Sequence, residues 1–442
     1  MSVIYWPAPP VPAPGHNGWM PSNEDEDPRR RAASLLSDLH EGPGRQVLDV
    51  LPPYDEDAVL GLTARLRAQE VPAEVVAAAL TQSRLRARAR RRLGDLADEL
   101  LLTEDGLEQA TRPEVAARHA DRFRAAGVAH VWDLGCGVGL DAIALADAGL
   151  EVTALDRDPA VVAAARANLS GRPRARVVLG DVGSVTPGPD DGVWFDPARR
   201  SPGVADVRGR TLRRSRLSEM SPSWEHVQLV SRRAAAAGVK LSPGFSPAEV
   251  PDGVEAEWVS LDGDVLECAL WWGGAASGTV RSAVVGVSPA AGSPDAGVRW
   301  HVVRPPEQDP EVLAVGQEVG PFLAEPDRAV IAARLTGSLA ATVDGAELDH
   351  GVGYVTAGRM HPLPWARWYA VQEVLPLRSR QVRAWLRARG AGRVTLKKRG
   401  VAVDPAAFRA ELRLSGEGPE VLLVLTRVAG RPAALVVEPV PR

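Results

Sequence analysis

The chain has 442 residues, 45% of them apolar, which fits about two to three domains with real cores. Its net charge of −4 excludes a general polycation, so any nucleic-acid contact has to come from a local basic patch. No apolar run approaches the length of a membrane span, and two cysteines, Cys136 and Cys268, offer no disulfide framework; a reducing, cytoplasmic setting is expected.

Residues 1–33 read as a disordered leader, with prolines crowding the first turns and an acidic cluster (Glu24 to Asp27) meeting a basic one (Arg29 to Arg31). Residues 34–103 have helical periodicity. Asp55 to Asp57 opens a helix through Val59, Leu60, Leu62 and Leu66, and Pro72 starts another through Val75, Val76 and Leu80. Arg84, Arg86, Arg88, Arg90, Arg91 and Arg92 follow. Their spacing suits a solvated helix face or a face that tracks phosphates. A turn at Thr103 to Gly106 leads to a helix that starts at Pro113, a favoured first-turn position.

Val131-Trp-Asp-Leu-Gly-Cys-Gly-Val-Gly-Leu-Asp141 is the stretch around which the rest is arranged. Val131 to Leu134 is a short buried strand. Gly135, Gly137 and Gly139 permit positive φ and close backbone approach, and Asp141 opens a helix. Strand, glycine turn and helix N-terminus together make a nucleotide-type site. Further strands are expected at 151–155, 176–179, 192–195 and 239–242. Helices are expected at 159–169 and near 224–237, and a hairpin over 257–261 and 265–271. Strands one to four each carry an acid at or near the C-terminal end: Asp133, Asp156, Asp181 and Asp196. In an open α/β sheet that edge is where ligands bind.

The third glycine comes one residue early for a dinucleotide fingerprint. Asp-x-Gly-x-Gly-x-Gly resembles motif I of the class I S-adenosylmethionine-dependent methyltransferases. That resemblance implies a Rossmann-like α/β catalytic domain over residues 104–275, ending in a β-hairpin. It implies S-adenosylmethionine as cofactor, held by Asp133, Gly135, Gly137 and Gly139. Asp156 would bind the ribose hydroxyls, and Asp181 with Val182 the adenine. The resemblance sets the segment Gln109 to Arg112 against the cofactor, while the residues themselves suit a simple helix cap equally well. Asp196-Pro-Ala-Arg-Arg200 stands where amino-directed members carry [Asn/Asp]-Pro-Pro-[Tyr/Phe]. Asp196, Pro197 and Arg199 are therefore the expected catalytic residues, with Asp196 positioning an exocyclic amine. Ala198 and Arg199 depart from the motif, which leaves the acceptor atom open. Lys240, one of three lysines, ends the fifth strand; it suits either the guiding of an anionic substrate or a surface position.

Residues 276–324 form a Gly-, Ser-, Ala- and Pro-rich connector, with strand-like patterns at 279–287 and 298–303. Residues 325–442 read as a smaller α+β domain, ferredoxin-like in outline: a helix at 328–339, a strand at 365–374, a helix at 378–389, a strand at 393–397, a helix at 405–412 and a closing hairpin. Glu325 to Ile331, Lys397-Lys-Arg-Gly400, Leu425-Thr-Arg427 and Gly430-Arg-Pro432 resemble the THUMP-like domain of some bacterial methyltransferases. Between Pro376 and Val403 there is no acid, while Arg380, Arg383 and Arg387 repeat at helical spacing and Lys397, Lys398 and Arg399 follow. This patch suits RNA phosphates. The resemblance implies an RNA substrate, methylated at a base amino group. A protein or small-metabolite acceptor, or a non-catalytic RNA-binding protein that keeps the cofactor fold, are the rival readings. The eight histidines have no metal-ligand spacing, so no metal is expected.

Overall fold

The computed structural model describes residues 27–199, 217, 220–289, 297–308 and 311–441. The chain forms two compact units. The first comprises the residues up to Lys240 together with Trp271–Ala276, and the second comprises Leu241–Leu270 and Ser277 onward.

The first unit begins with helices α1 (Pro28–Glu41), α2 (Gly44–Asp49), α3 (Val59–Ala68) and α4 (Ala73–Leu93). Helix α1 starts inside the stretch expected as leader. The cause is local: the Asp27 carboxylate accepts from Arg29 N at 3.0 Å, and Pro28 occupies the first turn, where its missing N–H costs nothing. Helices α5 (Glu104–Gln109) and α6 (Pro113–Ala125) follow, and then the doubly wound part. Its elements are β1 (His130–Leu134), α7 (Leu140–Asp147), β2 (Glu151–Asp156), α8 (Pro159–Asn168), β3 (Ala175–Leu179), β4 (Gly192–Phe195), the two-residue pair β5 (Ala198–Arg199) and β6 (Met220–Ser221), α9 (Trp224–Ser231) and β7 (Ala236–Leu241). The sheet runs β7-β4-β1-β2-β3, all parallel, so the strand order reverses between β1 and β4. Helix α9 stops six residues before its expected end. Ala236 and Ala237 pair with Gly192 and Val193 in the sheet and are wholly buried, so tertiary pairing overrides the helix preference of an alanine run. Trp194 and Trp271 stack at 5.4 Å with Phe123 edge-on to both, forming the aromatic centre of the core.

The second unit carries β8 (Glu255–Leu261), β9 (Asp264–Gly273, apart from its last three residues), β10 (Arg281–Val287) and β11 (Arg299–Val303) in the order β9-β8-β10-β11. The turn between β8 and β9 places Asp262 and Gly263 at φ 52° and 87°, the left-handed pair that a two-residue hairpin requires. Next come β12 (Phe322–Pro326), α10 (Arg328–Ala332), α11 (Thr336–Val343), β13 (Ala346–Glu347), β14 (Val355–Ala357), β15 (Ala366–Pro376), α12 (Ser379–Ala388), β16 (Arg393–Lys398), α13 (Pro405–Leu412), β17 (Glu420–Val428) and β18 (Arg431–Pro439). The helix expected over 328–339 is two helices, broken where Arg334 takes φ 53°. Seven strands form the sheet β13-β14-β12-β15-β18-β17-β16, with α12 and α13 packed through Val382, Leu386, Phe408 and Leu412. No described helix is long and apolar enough to cross a membrane.

Candidate active site

Side chains gather at the C-terminal ends of β1, β2, β4 and β7, on both sides of the order reversal. Gly135, Gly137 and Gly139 all hold positive φ, at 88°, 54° and 89°. Gly135 has a second reason to be glycine: a Cβ there would stand 2.6 Å from the carbonyl oxygen of Asp196. The glycine loop and the Asp196-Pro197 segment therefore meet backbone to backbone. Gly139 caps α7 in the left-handed conformation without a side-chain cap, so the first turn of the helix follows directly on the loop.

Four carboxylates surround this loop in different states. Asp133 is 1% exposed, and neither of its oxygens has a hydrogen-bond partner. Burial, reinforced by the nearby Asp141, Asp196 and Asp156 charges, pushes its carboxyl well above the usual aspartate range. Asp141 on α7 is also buried, which would raise it. Bonds from His119 Nδ1 at 2.7 Å and Thr111 Oγ1 at 2.7 Å, with the His119 and Lys240 charges, outweigh burial and hold it below the usual range. Asp156 ends β2 and accepts from Gly137 N at 3.3 Å and Asp158 N at 3.0 Å. Burial outweighs these backbone bonds and leaves it raised. Asp196 follows β4, with Lys240 Nζ donating to its Oδ2 at 2.8 Å.

Asp181 is exposed at the end of β3 and accepts from Gly183 N at 2.7 Å, capping the single turn Val182–Ser184. Arg199 pairs through its backbone with Met220; its side chain and all of Arg200 lie outside the described residues.

The layer beneath these residues is one that sequence reasoning missed. His119 sits on the buried face of α6 with Val115, Ala116 and Phe123 and lies 4.1 Å from Trp194, ring to ring. A lone polar residue on an apolar helix face is the signal that marks it. Asn168 is another: its side chain bonds Leu101 N at 2.7 Å, Leu101 O at 2.9 Å and Val138 O at 2.8 Å. It thereby ties the segment after α4 to the glycine loop. Gln82 of α4 bonds both N–H and C=O of Leu102 at 2.8 Å. The end of the helical region is thus fixed on one side by Gln82 and on the other by Asn168, which also holds the glycine loop.

Most arginines of α4 are engaged within the fold. Arg84 and Arg88 both pair with Glu104 at 2.5 Å, Arg90 pairs with Asp98 at 2.5 Å, and Arg86 is turned inward onto Leu100 O at 2.9 Å. In the second unit the expected basic patch divides. Arg380, Arg387 and Lys398 are exposed, and Arg383 is half-buried with Nη1 donating to Glu411 O at 3.3 Å. Lys397 and Arg399 instead converge on Glu325. Lys397 Nζ bonds a Glu325 oxygen and Tyr369 Oη, and Arg399 reaches Glu325 Oε1 at 3.1 Å and Gly353 O at 2.9 Å. Burial would raise Glu325, but Lys397, Tyr369 and Arg399 outweigh it and hold the carboxyl below its usual range. Among the described residues, no group of three His, Cys, Asp or Glu side chains gathers to hold a metal.

Comparison with known proteins bears on this geometry. Residues 131–196 match a methyltransferase domain, residues 366–439 a THUMP domain-like family, and residues 33–89 a domain of unknown function. The chain is 32% identical over 355 residues to an uncharacterized S-adenosylmethionine-dependent methyltransferase of Mycobacterium tuberculosis, found in two strains; the match covers 78% of this chain and 90% of the relative. A protein of Porphyromonas gingivalis W83, solved as a candidate methyltransferase, superposes with a TM-score of 0.61 at 17% identity, over 87% of this chain and 99% of that one.

Proposed function

The chain belongs to the S-adenosylmethionine-dependent methyltransferases, and from that premise we propose that it methylates an exocyclic amino group of an RNA base, with Asp196 positioning the acceptor. The residues present fit the cofactor. A glycine loop with three positive φ angles leaves its backbone open to a ligand, Asp133 is a buried carboxyl without a partner, and Asp156 is a carboxylate raised by burial. Each is a polar group whose environment a bound ligand would improve. Gly135, Gly137 and Gly139 would cradle the amino-acid part, Asp133 would support that loop from below, Asp156 would take the ribose hydroxyls, and Asp181 with Val182 the adenine.

S-adenosylmethionine, when bound, would supply an electrophilic methyl group on a cationic sulfur that keeps the bonding pair, and the proton lost from the acceptor nitrogen would reach solvent once the product leaves. The protein's part is placement and the exclusion of water. Asp196 accepts a hydrogen bond from the amine, which aims the nitrogen lone pair. Pro197 restricts the backbone that carries it. Arg199 is assigned to the base, where a guanidinium can stack or pair with phosphate.

The observation that carries the reading is the contact of the Asp196 carbonyl with Gly135, which puts the acceptor segment against the cofactor loop. RNA as the acceptor rests on two supports. The THUMP-like match is one, and the exposed cations Arg380, Arg387 and Lys398 are the other. The test is transfer of labelled methyl to total RNA from a strain lacking the gene. Label in one RNA species is expected, and Asp196→Ala is expected to lower turnover at least about 100-fold while still binding cofactor. Reversing Arg380, Arg387 and Lys398 to glutamate is expected to weaken RNA binding at least about tenfold. Label in protein or a small metabolite, with none in RNA, overturns the acceptor.

A further inference from the structure

Lys240 closes β7, and its sequence context leaves its role open between guiding an anionic substrate and simple surface exposure. The structure supports neither. Its side chain is 15% exposed and its ammonium is directed inward. An ammonium carries three donors, and here it meets three acceptors: Asp196 Oδ2 at 2.8 Å, Gln109 O at 2.9 Å and Thr111 Oγ1 at 3.0 Å. Those acceptors come from two parts of the site. Asp196 follows β4 and belongs to the acceptor segment. Gln109 ends α5 and Thr111 lies between α5 and α6, and Thr111 in turn donates to Asp141 at the start of α7. The Lys240 ammonium therefore joins Asp196 to the segment between α5 and α6 and, through Thr111, to the start of α7.

The surrounding charge makes that cation matter. The charges of Asp141 on α7, Asp156 on β2 and Asp196 all act on Asp133 on β1, and His119 on α6 pairs with Asp141. Asp196 is a further carboxyl in this acidic company. Like charges this close disfavour the ionised form and displace the side chain toward water unless a cation holds it.

We propose that Lys240 is a positioning residue for methyl transfer. It fixes Asp196 in one orientation as a carboxylate that only accepts hydrogen bonds. Such a group favours an acceptor that presents an N–H or O–H donor and disfavours a carboxylate or thiolate, which would meet like charge without a donor; the amine reading takes the N–H case. This inference rests on the amine reading given above and narrows it: the substrate enters as a neutral N–H donor, and Lys240 acts through Asp196 without touching the substrate.

The experiment uses the full-length chain and the RNA that the wild type labels. Lys240→Ala is expected to lower kcat at least about 30-fold, with cofactor affinity by calorimetry and RNA affinity both within about threefold of wild type. Added propylammonium is expected to restore kcat at least about tenfold, and propanol, of similar size without charge, is not. In an Asp196→Asn background, where no carboxylate needs a cation, Lys240→Ala is expected to cost less than about fivefold. A loss of kcat that no alkylammonium recovers overturns the proposal. So does a Lys240→Ala protein that neither folds nor binds cofactor while Lys240→Met behaves the same, since the lysine would then be a structural strut. If the wild type methylates an acceptor without an N–H, the amine reading fails whatever Lys240 does. If it methylates an amine and rescue is absent, only the Lys240 proposal fails.

Discussion

The two units each bury carboxylate charge, and they treat it in opposite ways. In the second unit Glu325 is 15% exposed and meets Lys397, Arg399 and Tyr369, so its charge is answered within the fold. In the first unit Asp133 has no hydrogen-bond partner, Asp156 has only backbone N–H groups and is still raised by burial, and Asp196 is held by Lys240. An internally satisfied cluster serves stability. A cluster left partly unsatisfied costs stability and keeps binding energy for a ligand. The contrast explains why cations legible as an RNA patch, Lys397 and Arg399, are engaged in structure, while acids that could pass for ordinary turn residues surround the glycine loop.

The largest expected effect tests the satisfied cluster. Glu325→Gln leaves two cations without their carboxylate in a half-buried place and is expected to cost about 3 kcal/mol in denaturant unfolding, with cofactor affinity unchanged. The wild-type contribution has a defined pH window. Glu325 is depressed in the folded state, so its contribution is fully present above about pH 4.3, the ordinary glutamate value, and is lost as pH falls through the folded pKa. Acid unfolding of Glu325→Gln that matches the wild type would erase the contrast.

Asp156→Ala probes the unsatisfied cluster. Removing a carboxylate assigned to two ribose hydroxyls is expected to cost about 2 kcal/mol in cofactor affinity, roughly 30-fold, with little change in the unfolding midpoint. Because burial raises this group in the free protein, cofactor affinity is expected to decline with acidification from above the ordinary aspartate range. Calorimetry across pH reads both, and an affinity independent of pH in the wild type would remove Asp156 from the site.

Asp133→Asn is a smaller and sharper test. The folded protein holds this proton while the unfolded chain releases it, so wild-type stability is expected to fall as pH rises above about 3.9 and on toward the raised folded pKa. The amide has no proton to hold. The variant is expected to gain about 1 kcal/mol near neutral pH and to bind cofactor less tightly. A loss of stability would mean that Asp133 is satisfied after all.

The smallest effect is expected at the paired arginines of α4. Replacing Arg84 and Arg88 by glutamine breaks exposed pairs with Glu104 and is expected to change stability by less than about 0.5 kcal/mol and RNA affinity not at all. A clear drop in RNA affinity would return this face to the substrate surface.

Local features of the sequence determined a good deal. The order of strands and helices, the glycine loop, the acids at the strand ends and the resemblance to S-adenosylmethionine-dependent methyltransferases all lie within short stretches of chain, where periodicity and φ preference act directly. Features that depend on neighbours distant in sequence were decided only by the fold. The alanine run at 236–237 became a strand because Gly192 and Val193 pair with it. Arg334 broke one expected helix into two. The Lys240–Asp196 pair spans 44 residues, and His119–Asp141 spans 22. Whether a cation faces water, a phosphate or a buried carboxylate depends on what packs beside it. Lys397 and Lys398 are adjacent in the chain, yet one turns to Glu325 and the other to solvent. Successive residues of a strand point to opposite faces, and only the assembled sheet determines which face holds the acid.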